Sequence, residues 1–275
     1  MNVNKDIDKI SGIPFELRIA EKLLTIDEKY RPNGVEHSLA LPDTKEMITR
    51  ECDLYVWWER KLNNGLEIEM QMLTECKYFD TPQHKIDFFK LDPKIHRQPD
   101  KGIMKLYAES GLDVNWDAFE SMYAQNTLFA QDYPLARVYA EPVKGTGISN
   151  ENRVGVAVKQ LMASVKALRE LRKQNEQGSK NKLWIFLPVV VVPDGVLKFA
   201  ESYNTEPKEI NAINYVYSYW NQTSVHHMES ATAMITFVAE GHIEEYVKKL
   251  MDLLDNFVTK LEQSKMINVR EEVNV

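Results

Sequence analysis

The chain has 275 residues, 44% hydrophobic and 27% charged, enough for one large domain or a core carrying an insertion. Its formal net charge of −7 argues against a protein that binds nucleic acid over its whole surface, and two cysteines exclude a disulfide framework. No apolar run reaches the roughly 18–20 residues of a membrane span, and the first residues lack the apolar stretch of a secretory leader, so a cytoplasmic location is expected.

Pro14 followed by residues 15–24 predicts a helix, with Phe15, Ile19, Leu23 and Ala20 as its apolar stripe. Pro32-Asn33-Gly34 predicts a turn and residues 38–41 a short extended piece. Residues 51–58 form the first clear strand. Asn63-Asn64-Gly65 then signals a hairpin, and residues 66–78 carry the returning strand. On that strand Glu67, Glu69 and Gln71 alternate with Ile68, Met70 and Met72, which predicts a polar face turned to water. Adjacent Trp57 and Trp58 must point to opposite faces.

Residues 80–149 are less regular, with five prolines between Pro82 and Pro142 and amphipathic pieces near 86–91 and 116–129. They are expected to form an inserted, mostly helical subdomain between the core pieces 1–79 and 150–275. A helix is predicted over 154–175, with Val158, Leu161, Val165, Leu168 and Leu171 inward. From residue 151 to 182 there are eight Lys/Arg against three Glu, a local basic stretch in an acidic chain. A buried strand follows at 183–192, a turn at Pro193-Asp194-Gly195, a strand at 231–239 and an amphipathic helix at 242–265. The apolar face of that last helix suggests pairing with a second copy, a homodimer. The order of elements is that of an α/β fold.

Two runs carry chemistry. Asp53 lies within Arg50-Glu51-Cys52-Asp53-Leu54-Tyr55-Val56-Trp57-Trp58, and Glu75-Cys76-Lys77 follows 22 positions later. Strand geometry puts Glu75 and Lys77 on one face and Cys76 on the other; likewise Asp53 should share a face with Tyr55 and Trp57, opposite Cys52, Leu54 and Val56. Both cysteines are then expected to be small buried hydrophobes facing away from the acids. Pairing the two strands would gather an Asp, a Glu and a Lys at one sheet edge. Two carboxylates make a hard oxygen site suited to Mg²⁺, and a lysine beside them can orient or help deprotonate a bound water, which is hydrolytic chemistry on a phosphodiester.

This arrangement resembles the PD-(D/E)xK restriction-endonuclease-like nuclease superfamily, over roughly residues 12–78 and 153–200. Asp53 matches the first acid, Glu75 the second and Lys77 the lysine, while Cys52 stands where the proline of the pattern would be. Glu16 resembles an extra catalytic carboxylate on the opening helix, and Gln160 a polar residue that often follows the motif. The resemblance implies a restriction-endonuclease-like mixed β-sheet flanked by helices. It also implies a Mg²⁺-dependent DNA endonuclease of restriction, phage-defence or repair type, with Mn²⁺ able to substitute. Asp53, Glu75 and the backbone carbonyl of Cys76 would hold the metal. Gln160, Lys159, Lys166 and Arg169 would contact the nucleic-acid backbone. RNA is an open second substrate. The sequence shows no separate DNA-reading module, and a protein partner is one candidate source of specificity. The alternative is a catalytically silent member that binds nucleic acid or a partner protein.

Overall fold

A computed structural model describes residues 12–43, 48–78, 86–90, 108–110, 113–114, 135–140, 153–174, 181–200, 211–212, 215–223, 230–264 and 267–268. The first helix, α1 (Ile13–Thr25), has Pro14 in its opening turn and buries Phe15, Ile19, Ala20 and Leu23, the expected stripe. Then come β1 (Gly34–Asp43), β2 (Ile48–Lys61) and β3 (Glu67–Cys76). Gly34 opens β1 because the Trp57 indole lies across it, where a side chain would collide. The turn between β2 and β3 is the predicted one. Gly65 takes a φ of 80°, Leu62 N–H donates to Leu66 O at 2.8 Å, and Asn64 Oδ1 accepts from Leu66 N–H at 3.1 Å.

Further along lie β4 (Ile86–Lys90), β5 (Ala108–Ser110), β6 (Asp113–Val114), β7 (Leu135–Ala140) and α2 (Arg153–Gln174). They are followed by β8 (Lys182–Val192), β9 (Leu197–Ala200), β10 (Asn211–Ala212), β11 (Tyr215–Thr223) and β12 (Ser230–Ala239). Last are α3 (Ile243–Gln263) and β13 (Ile267–Asn268). The fold is α/β. Its central part is the mixed five-stranded run β1-β2-β3-β8-β12 flanked by helices. β1, β2 and β3 pair antiparallel, and β3, β8 and β12 pair parallel. A parallel β3–β8 pair needs a crossover, and α2 lies on it. Beyond β12 the sheet continues through β11, β7, β4, β9 and β10.

Two apolar clusters sandwich the sheet. One joins Phe15, Ile19 and Leu23 of α1 and Ile243, Val247, Leu254 and Phe257 of α3 to Ile68, Met70 and Met72 of β3. The other joins Val154, Val158, Leu161, Val165 and Leu168 of α2 to Leu73, Trp184 and Phe186. β8 feeds both, with Leu183, Ile185 and Val189 on the first side and Trp184, Phe186 and Val190 on the second. That is why it reads as an unbroken apolar run. The apolar stripe of α3 is buried in the chain's own core. No helix among the described residues is long and apolar enough to cross a membrane.

Three expectations are corrected. Residues 86–90 of the amphipathic piece at 86–91 are strand β4, paired with β7 and β9 in the same sheet, not a helix. The other amphipathic piece, 116–129, lies outside the described residues, as does most of 80–149. Most of the polar face of β3 does not meet water: Glu67 is half-buried, but Glu69 and Gln71 are buried under α2, because helices cover this sheet on both faces.

The third correction concerns strand phase. Cys52 packs with Tyr55 on the α2 side, while Leu54, Val56 and Trp58 pack on the α1/α3 side. β1 changes sides at the same level, with Val35 on the α1/α3 side and Leu39 and Leu41 on the α2 side. The switch lies at Ser38, whose φ of 57° interrupts the pleat. The ladder pairs His37 with Leu54 and Leu39 with Cys52, leaving Ser38 opposite Asp53 between them. Cys52 and Cys76 therefore fall in different clusters rather than on one face. Both are buried, as expected, and burial pushes both thiols well above their usual range, which makes them inert.

Candidate active site at the ends of β2 and β3

The phase switch puts Asp53 at the point where three strands and the first turn of α1 meet. One step beyond the paired Leu54 and Thr74, Asp53 faces Glu75 across the β2–β3 pair. Instead of a backbone rung, the Asp53 carboxylate closes this end of the pair. Its Oδ2 accepts the Cys76 backbone N–H at 2.7 Å. Lys77 N–H continues along β8, donating to Val191 O at 2.9 Å. The Lys77 ammonium turns back onto Glu75, with Nζ 2.9 Å from Oε2. Glu75 is 1% exposed and the Lys77 side chain 25% exposed, so the acid lies beneath and the cation reaches the surface.

From α1, Glu16 adds a third carboxylate, itself only 9% exposed. It is bonded to His37 of β1, with Oε2 2.6 Å from Nε2. The other ring nitrogen of His37, Nδ1, lies 3.1 Å from the Ser38 hydroxyl. His37 was not singled out in the sequence. The available signal is its place two residues after Val35, one residue before the extended piece read at 38–41.

The electrostatics follow from burying acids together. Burial raises the Glu75 carboxyl to about 7, with Asp53 and Glu16 adding to the rise and Lys77 opposing it. Burial also raises Asp53, against the Cys76 N–H and Lys77. Burial and the Asp53 charge raise Glu16, against His37. Burial works to lower the Lys77 ammonium, but Glu75 and Asp53 outweigh it and hold Lys77 more firmly charged than usual. Lys77 is therefore a fixed cation and a poor proton acceptor.

A stability effect follows. An acid raised on folding binds more protons in the native than in the unfolded state between the two values. Stability must then fall as pH rises from about 4.5 to about 7 and level off above. In chelator, urea unfolding should show Glu75 contributing a loss of roughly 3 kcal/mol across that window. Glu75→Gln should flatten most of the slope; an unchanged slope would show that the acid is not raised.

The donor set suits a divalent cation. Two buried carboxylates, Glu16 and Glu75, and the half-buried Asp53 face one lysine and one histidine, a deficit of positive charge that the raised acids express. Among the described residues no three His, Cys, Asp or Glu side chains are placed to hold an ion as they stand. Mg²⁺ does not require three. It is commonly held by one or two carboxylates and completes its shell with water and substrate oxygens. Asp53 and Glu75 meet that requirement.

Of the expected site residues, Asp53, Glu75, Lys77, Cys76 and Glu16 come together. Lys159, Gln160 and Lys166 are exposed on the solvent side of α2, and Arg169 is half-buried there. His84, His96, His226, His227 and Gly145-Thr146-Gly147 lie outside the described residues. In comparisons with protein-family models, with curated proteins and with solved structures, nothing matches this chain.

Proposed function

We propose that this chain is a metal-dependent endonuclease of the PD-(D/E)xK, restriction-endonuclease-like type that hydrolyses phosphodiester bonds in DNA. The observation that carries the reading is the convergence of Asp53, Glu75 and Lys77 where the pairing of β2 with β3 ends, among acids raised by burial. The element order supports it too: an acid-bearing helix, three antiparallel strands and, after β4 to β7, a helix leading to a strand parallel to β3.

Asp53 and Glu75, with the Cys76 carbonyl, are the residues to hold Mg²⁺ or Mn²⁺, which when bound would supply a polarised water and charge neutralisation at the phosphate. The chain's own part is positional. The Cys76 N–H fixes the Asp53 carboxylate, and Lys77 fixes Glu75. The Lys77 ammonium orients the attacking water and meets the charge that grows on the phosphate. Lys159, Lys166 and Gln160 on exposed α2 are suited to backbone phosphates, which favours a polyanion as substrate.

One observation favours the silent alternative. Each acid already has an internal partner: Glu16 has His37, Asp53 the Cys76 N–H, and Glu75 has Lys77. Plasmid DNA, single-stranded DNA and RNA incubated with the protein in Mg²⁺, Mn²⁺ or chelator separate the two. Cleavage of DNA that needs the cation is the expected result. Absence of cleavage, together with no Mn²⁺ binding by calorimetry, would overturn the nuclease reading.

A further inference from the structure

The Glu16–His37–Ser38 chain has no counterpart in the roles assigned above. Its links are 2.6 Å from Glu16 Oε2 to His37 Nε2 and 3.1 Å from His37 Nδ1 to Ser38 Oγ. It runs from a buried carboxylate outward to an exposed hydroxyl. Ser38 is the one described non-glycine residue with positive φ. A serine held in that conformation on a strand is the kind of local outlier that points to a task. Its position is also specific. Ser38 lies opposite Asp53 on β1, and Glu75 lies opposite Asp53 on β3. Ser38 and Glu75, the latter with Lys77 bonded to it, therefore flank Asp53 in register from its two neighbouring strands.

Hydrolysis by in-line displacement needs two arms on opposite sides of phosphorus, one for the incoming water and one for the departing oxygen. Lys77 and Glu75 occupy one side. We infer that Ser38, backed by His37 and Glu16, is the acid arm that protonates the leaving oxygen. This rests on the nuclease reading. With both ring nitrogens protonated, His37 donates through Nε2 to Glu16 and through Nδ1 to Ser38 Oγ, which turns the Ser38 O–H outward. As the bond from water oxygen to phosphorus forms, the bond from phosphorus to the leaving oxygen breaks. The electron pair of that bond goes to the leaving oxygen, which takes the Ser38 proton. Ser38 Oγ takes the Nδ1 proton of His37. The neutral imidazole keeps its Nε2–H on Glu16 and is reprotonated from solvent, which also receives the proton lost by the attacking water. Ser38 is the catalytic residue of this arm; His37 and Glu16 act through it.

The decisive variant is Ser38→Gly. It removes the hydroxyl and suits the positive φ better than serine does, so the strand is kept. Rates are compared on three oligodeoxynucleotides: one normal, one with sulfur for the 3′-bridging oxygen at every linkage, and one with sulfur for the 5′-bridging oxygen. A thiolate leaves without being protonated. Ser38→Gly should slow cleavage of the normal strand about 100-fold. On whichever sulfur-bridged strand carries the leaving atom, its rate should come within about threefold of wild type. Mn²⁺ binding by calorimetry should be unchanged. Equal slowing on all three strands, or a normal rate on the oxygen strand, would overturn the acid arm while leaving the nuclease reading intact. Failure of the wild type on every strand would overturn both.

Discussion

Lys77→Met should lower the rate of DNA cleavage by about 1,000-fold or more while leaving the protein folded. Methionine keeps the unbranched stem that packs beside Glu75 and removes only the ammonium. Two losses follow. The water and the phosphate lose the fixed cation that burial among acids holds charged. Glu75, 1% exposed, loses its partner at 2.9 Å and is left facing Asp53 and Glu16. Its carboxyl must then rise beyond about 7, so in chelator the fall in stability with pH should extend to higher pH than in wild type. The double variant Lys77→Met/Glu75→Gln should regain stability and stay inactive. Asp53→Ala, run alongside, should be equally inactive, because it removes both the proposed cation ligand and the acceptor of the Cys76 N–H. Plasmid cleavage rates and thermal unfolding on the same preparations check these outcomes. Activity within tenfold of wild type in Lys77→Met would sink the assigned role.

The largest effect on stability is expected at the opposite end of β3. There Glu69 is buried and accepts from Arg172 Nη2 at 3.3 Å, Tyr55 OH at 3.3 Å and Trp184 Nε1 at 3.2 Å, with the Gln71 amide also bonded to it. Arg172 also donates to Tyr55 OH at 3.0 Å, and its guanidinium lies 6.0 Å from the Trp184 ring centroid. Arg172 is thus what fastens the last turns of α2 to β2, β3 and β8. Arg172→Met leaves a buried carboxylate without its cation, a change that costs about 3–5 kcal/mol, and the neutral donors that remain place it near 3. Adding Glu69→Gln removes the stranded charge, so the double variant should recover most of the loss. Urea denaturation with a two-state fit measures it. A single-variant loss under about 1 kcal/mol would show that Tyr55, Trp184 and Gln71 satisfy Glu69 by themselves.

Local information was enough for much of this. Periodicity located α1, α2, α3, β2, β3, β8 and β12 to within a few residues. Asn63-Asn64-Gly65 and Pro193-Asp194-Gly195 marked their turns, where Gly65 and Gly195 take positive φ. The acid and lysine types at 53, 75 and 77 were visible because strand alternation puts Glu75 and Lys77 on one side, and they do meet. These features depend on near neighbours in the chain, which a sequence displays directly.

What only the tertiary structure decided depends on partners far apart in sequence. Glu69 and Gln71 carry the pattern of a wet face, yet α2, about a hundred residues away, covers them. β4 resembles an amphipathic helix until β7 and β9 pair with it. The switch of faces at Ser38 leaves no trace in residue type, since serine is ordinary in a strand, and only the φ of 57° reveals it. That switch placed Cys52 with Tyr55 and brought His37 to Glu16, 21 positions away. Residue type and spacing thus determined which acids and which lysine could meet where β2 and β3 pair. Long-range packing decided which charges are buried, and so which acids are raised, which lysine stays charged and which histidine joins them.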